Sequence, residues 1–149
     1  MTDPIPAPEM AQGEKLLRPI VPDRGRYWRD HAILAAVGMA GVGAVLLAIG
    51  SPHAAIGALG APLAVGARAL YLASESLGAR WWLTSQRVVL PGARSVQLLE
   101  IETVRKLLGD VQIVTRSGDK HLLRHIAAPE ALVADITAAQ ARRRKRARP

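Results

Sequence analysis

Four histidines, a few carboxylates and a serine flanked by turn-forming residues are the side chains that could act on a substrate or hold a metal. Cysteine is absent, which removes thiolate nucleophiles, thiolate metal ligands and disulfides. His121 and His125 are four residues apart, a spacing that gathers two imidazoles on one face of a helix. On or just past a strand the same spacing holds them about 13 Å apart, too far for one ion. His31 and His53 bracket an apolar run, where an imidazole at an interface is ordinary. Asp110 and Asp119 stand beside glycines in turn-like text, where Asp bonds its own backbone, and Glu100 and Glu102 straddle Ile101 as solvent-facing residues. Ser85 lacks the glycine-rich elbow of a nucleophilic serine, and neither a phosphate loop nor a dinucleotide fingerprint occurs. The expectation is a protein that is not an enzyme, with no catalytic residue, no metal and no cofactor.

The cations carry more information. The formal net charge is +8, which favours acidic partners. Arg142, Arg143, Arg144, Lys145 and Arg146, followed by Arg148, form a terminal cluster, and Arg80, Arg87 and Arg94 fall in the segment where strands begin. Near an anionic leaflet each such residue contributes about 1 kcal/mol, which makes these positions candidates for binding headgroups or a partner. The competing reading is a solvated helix end and tail that meets only the helix dipole. Nucleic acid is disfavoured, because no aromatic residue follows Trp82 to stack a base.

Three regions would have to position these residues. Residues 1–26 open with MTDPIPAPEMAQGEK, Pro-rich and acidic ahead of any apolar run, the reverse of a signal peptide. This stretch is expected to be a disordered cytoplasmic tail.

From His31 through Ala67 there is no Asp, Glu, Lys or Arg. A bilayer core of about 30 Å takes roughly 20 helical residues, and Gly50-Ser51-Pro52-His53 sits where two such spans would meet. Residues 27–76 therefore read as a transmembrane hairpin, His31 to Gly50 and Ala54 to about Ala73. Arg68 lies near the end of the second span, where its stem can stay in hydrocarbon while its head reaches water. Tyr27, Trp28 and Tyr71 are placed as interfacial aromatics, and Trp81 and Trp82 as either that or core. Ala36, Ala40 and Ala44 on the first span, with Gly57 and Ala61 on the second, offer small-residue faces for close helix packing. Pro62 is expected to kink the second helix. Basic residues flank the spans and none occupies the turn, so both termini should face the cytoplasm. The alternative is a soluble alanine-rich helix pair buried on a partner.

Residues 80–140 change character. Short β-prone runs, Trp81 to Thr84, Arg87 to Leu90, Ser95 to Leu99, Val104 to Leu108, Val111 to Thr115 and Lys120 to Arg124, alternate with turn signals, Gly109-Asp110 among them. Pro129-Glu130 then starts a helix whose Leu132, Val133, Ile136 and Ala139 form an apolar stripe. Residues 141–149 are expected to finish that helix and fray into a basic tail. The fold class is α+β: a two-helix transmembrane hairpin, then an antiparallel β-sheet or barrel capped by a C-terminal helix.

The run WWLTSQRVVLPG, followed by VQLLEIETVRKL, GDVQIVTRSGDKHLL and a Pro-Glu helix start, resembles the bacterial pleckstrin-homology-like (PH-like) domain family, whose members commonly carry a membrane hairpin. GEKLLRP resembles the family's lead-in before the hairpin. The likeness covers Gly13 to about Ala139 and is strongest from Trp82 to Arg87. Ala128 stands where relatives often place a capping Asp, at a cost of about 1 kcal/mol. The resemblance implies a membrane-tethered interaction or assembly module, located in the bacterial inner membrane with two passes. Its expected partner is another integral membrane protein or a second copy. Recognition of anionic lipid headgroups, or service as a minor subunit of a transport or energy-converting complex such as a photosynthetic one, are the alternatives.

Overall fold

The structure, a computed structural model, describes residues 7–148; residues 1–6 of the expected tail and Pro149 lie outside it. The chain divides into two compact units, residues 23–78 and the remainder.

The first unit is a helical hairpin. Helix α1 (Arg24–Ala48) is capped by Asp23, whose carboxylate accepts the Arg26 N–H at 2.6 Å, the usual answer to unpaired amides at a helix start. It ends where Gly50 adopts φ +68°. The Gly50 N–H then reaches Leu47 O at 3.0 Å and the Ser51 N–H reaches Leu46 O at 2.9 Å, the paired closing bonds of a Schellman turn. Helix α2 (Ala54–Gly78) runs through Pro62 without interruption. At 25 residues apiece the helices exceed both expected spans and are long and apolar enough to cross a membrane.

Their contact is made at small residues, though not all of those expected. A Cβ on Gly38 would lie 3.5 Å from the Ala61 Cβ, one on Gly43 3.3 Å from that of Ala58, and one on Gly57 2.2 Å from Leu46 Cδ1. Gly57 and Ala61 therefore sit at the seam. Ala36, Ala40 and Ala44, expected there as well, are exposed. They are offset by two residues from the row Gly38, Val42 and Leu46, and two residues turn a helix by about 200°. Tyr27, expected at an interface, is fully buried, its hydroxyl donating to Ala69 O at 2.6 Å. Elsewhere the apolar side chains point outward: Val37 is 63% exposed, Leu47 70% and Leu63 74%.

The second unit holds two antiparallel sheets and one helix. Strands β1 (Leu16–Ile20), β2 (Trp81–Thr84), β3 (Arg87–Val89) and β4 (Ser95–Gln97) form the first sheet in that order. Strands β5 (Ile101–Leu107), β6 (Asp110–Thr115) and β7 (Lys120–Leu123) form the second. Strand β1 corrects the expectation of a disordered tail. It pairs with β2, Pro19 opposite Trp82 and Ile20 opposite Trp81, and an edge strand can carry Pro19 because that position need not donate. Trp81 joins the core.

The turn between β5 and β6 lies one residue earlier than expected. Leu108 and Gly109 both take positive φ, +50° and +88°, the pattern of a type I′ turn, and Asp110 pairs with Leu107. Helix α3 (Pro129–Ala147) buries Leu132, Ile136 and Ala139 with Val133 beside them, and both sheets contribute to the same cluster through Leu83, Val88, Val96, Ile113 and Leu123. Residues 141–147, expected to include a frayed tail, remain helical. Ala, Gln, Arg and Lys are strong helix formers, and Arg144, Lys145 and Arg146 in the last turn oppose its negative end.

Candidate functional site

Glu14 begins the site. Its side chain is wholly buried, and a buried carboxylate must be compensated. The Thr84 hydroxyl donates to Glu14 Oε1 at 2.6 Å, the Ala11 N–H to Oε2 at 2.8 Å, and Arg87 Nε to Oε1 at 3.0 Å. Burial pushes the carboxyl's pKa up, but the hydrogen bonds from Thr84, Ala11 and Arg87 together with the Arg87 charge outweigh it and hold the group below its ordinary value. Arg87, a candidate for lipid or partner binding, is thus committed inside the domain, and its Nη2 also donates to Glu9 O at 2.8 Å.

This network fixes two neighbours. Lys15 follows Glu14, and Ser85 follows Thr84. Their backbones are tied by Ser85 N–H to Lys15 O at 2.9 Å, and Lys15 N–H donates to Ser85 Oγ at 3.0 Å. Across from them, Arg18 on β1 pairs with Asp135 on α3. The result is a cleft of about 200 Å³ lined by Lys15, Leu17, Ser85, Ala139, Arg142, Arg143 and Arg146.

No family model, no curated protein and no solved structure matches the chain.

Of the expected site residues, Arg142, Arg143 and Arg146 are therefore brought together, with Lys15 and Ser85 as members the sequence reading did not select. Arg144 and Lys145 turn onto another face of α3, where they line a separate hollow with Thr137, Gln140, Ala141 and Arg148. Gln140 is spent on structure, its amide donating to Ile101 O at 2.6 Å. Arg80 Nη1 donates to Ala79 O at 2.8 Å, while Arg94 is exposed after the Pro91-Gly92 turn, and neither lines the cleft.

His121 lies on β7, and His125 follows it at φ +57° with its N–H bonded to Asp110 Oδ1 at 2.8 Å. Asp110 and Asp119 both serve turns, Asp119 accepting the Ser117 hydroxyl at 2.7 Å. Glu100 and Glu102 are exposed. Among the described residues no group of three or more His, Asp or Glu gathers in a metal-holding arrangement. What the cleft can do chemically is attract and orient an anion.

Proposed function

We propose that the protein is a membrane-anchored, non-enzymatic binding module. Its hairpin crosses the bacterial inner membrane twice, and its PH-like domain works at the cytoplasmic face, where it engages or helps assemble a membrane protein complex. The observation that carries the reading is the outward apolar surface of α1 and α2. Side chains such as Val37, Leu47 and Leu63 are exposed over two 25-residue helices, a surface matched to hydrocarbon about 30 Å thick and costly in water. Two antiparallel sheets closed by a C-terminal helix support the PH-like reading, as does the way Glu14 meets the Leu-Thr-x-x-Arg run. The orientation rests on basic residues that flank both helices and are missing between them. For the partner, the exposed Ala36, Ala40 and Ala44 leave close-approach room on α1.

A second reading, recognition of anionic lipid headgroups, is favoured by the cleft, which gathers Lys15, Arg142, Arg143 and Arg146 without a lining carboxylate.

The test uses single cysteines in an otherwise cysteine-free chain. Ser51→Cys should be labelled from outside intact cells and Ser117→Cys only after lysis. Protection of both, or full-length protein that stays in solution without detergent, would overturn the anchoring. Co-purification in mild detergent then identifies the partner.

A further inference from the structure

We infer that the cleft under α3 is a site for one phosphate group, borne either by a lipid headgroup or by a small soluble phosphate ester. This rests on the second reading above only for the source of the phosphate. The site itself stands on its geometry.

Lys15, Arg142, Arg143 and Arg146 converge on one hollow. Among the described residues, none of these four side chains has an ion-pair or hydrogen-bond partner, in contrast to Arg18, Arg87 and Lys106. Four like charges around a common space repel one another, and an oxyanion placed among them removes that repulsion while pairing each cation. The guanidinium fork matches two phosphate oxygens at once, which a point charge does not. Ser85 adds a neutral donor. Its oxygen accepts the Lys15 N–H, which leaves its own proton to give to a phosphate oxygen.

The hollow is also held in shape before any ligand arrives. Glu14 anchors Lys15, Thr84 anchors Ser85, and Arg18 with Asp135 ties β1 to α3. Its volume of about 200 Å³ falls below the roughly 300 Å³ at which pockets for drug-sized ligands begin. That size admits a phosphate with a short substituent. The hollow around Arg144, Lys145 and Arg148 supplies the control, with the same kind of charge on the same helix but without the Lys15 and Ser85 wall.

The full chain in neutral detergent is titrated with inorganic phosphate at constant ionic strength, with chloride as the reference, and followed by calorimetry and thermal melting. One-to-one saturable binding and a raised melting temperature are expected. Arg142→Gln with Arg146→Gln should weaken binding by about tenfold or more, as losing charge-assisted bonds implies, whereas Arg144→Gln with Lys145→Gln should change it by less than about twofold. Melting in chloride shows that each variant is folded, since these exposed cations lie outside the core and their removal relieves repulsion. Equal weakening by both pairs, or binding that never saturates, would reduce the cleft to diffuse charge and overturn the inference. Repeating the titration in nanodiscs of phosphatidylcholine with and without phosphatidic acid separates the sources. Loss of free-phosphate binding when phosphatidic acid is present points to a headgroup, and unchanged binding points to a soluble ester. Because the detergent titration does not need the hairpin to cross a bilayer, its failure is distinct from failure of the anchoring.

Discussion

The hairpin and the β-domain place their apolar residues in opposite directions. In α1 and α2 the contact between helices runs through Gly38, Gly43 and Gly57, and the large side chains face out. In the other unit Leu83, Ile101, Ile113, Leu132 and Ile136 are essentially inaccessible, and the buried carboxylate of Glu14 is met by hydrogen-bond donors. The contrast teaches that one chain can direct its apolar residues inward in one unit and outward in the other. The domain gains stability by removing hydrocarbon from water, whereas a hairpin proposed to lie in lipid gains little that way and depends on close packing and small residues.

The comparison breaks most readily at the domain core. Ile113→Ala should cost about 3 kcal/mol and lower the denaturation midpoint reported by tryptophan fluorescence in a Trp28→Phe background, with hairpin helicity unchanged. Loss of helicity in α1 and α2 along with it would show that the units do not behave separately.

Leu63→Arg probes the other side. It replaces an outward side chain near the middle of α2 and should disfavour insertion by about 3 kcal/mol in a translocation assay, with no effect on the domain's stability. Unchanged insertion would mean that this face does not meet hydrocarbon.

Glu14→Gln should destabilise the domain by about 2 kcal/mol, because Arg87 loses the carboxylate it is buried against. Its pH dependence has a definite sign. The folded pKa lies below the ordinary 4.5, so the contribution is complete above that value and disappears as the pH falls through the lowered folded pKa. Acid titration of the melting temperature should therefore be steeper for the parent than for the Gln variant.

The smallest effect is a gain. Leu108 is 98% exposed and holds φ +50°, a conformation that costs a branched side chain but suits Asn before Gly. Leu108→Asn should stabilise the β5–β6 hairpin by about 1 kcal/mol in thermal melts.

Much of the fold was legible locally. The uncharged run announced the two helices, and period-two text with glycine turns located six of the seven strands to within a few residues. The stripe Leu132, Val133, Ile136 and Ala139 found the packed face of α3. The site was only half legible. GEKLLRP and the Leu-Thr-x-x-Arg run both stand out in the local text, yet nothing in either says that Glu14 sits against Thr84 and Arg87 across some seventy residues. Arg87 looked like the other surface cations because its partner is remote.

By itself, then, the sequence determined which segments are long apolar helices, which segments after Gly78 are strands, and that the far end is basic, since each of these follows from the periodicity and composition of neighbours. Tertiary structure alone decided that Leu16–Ile20 is a strand, that Ala36, Ala40 and Ala44 face outward, and that Lys15 meets Arg142, Arg143 and Arg146 in one cleft. Those outcomes depend on pairing between residues far apart in the chain, and pairing at a distance leaves no period in the local text.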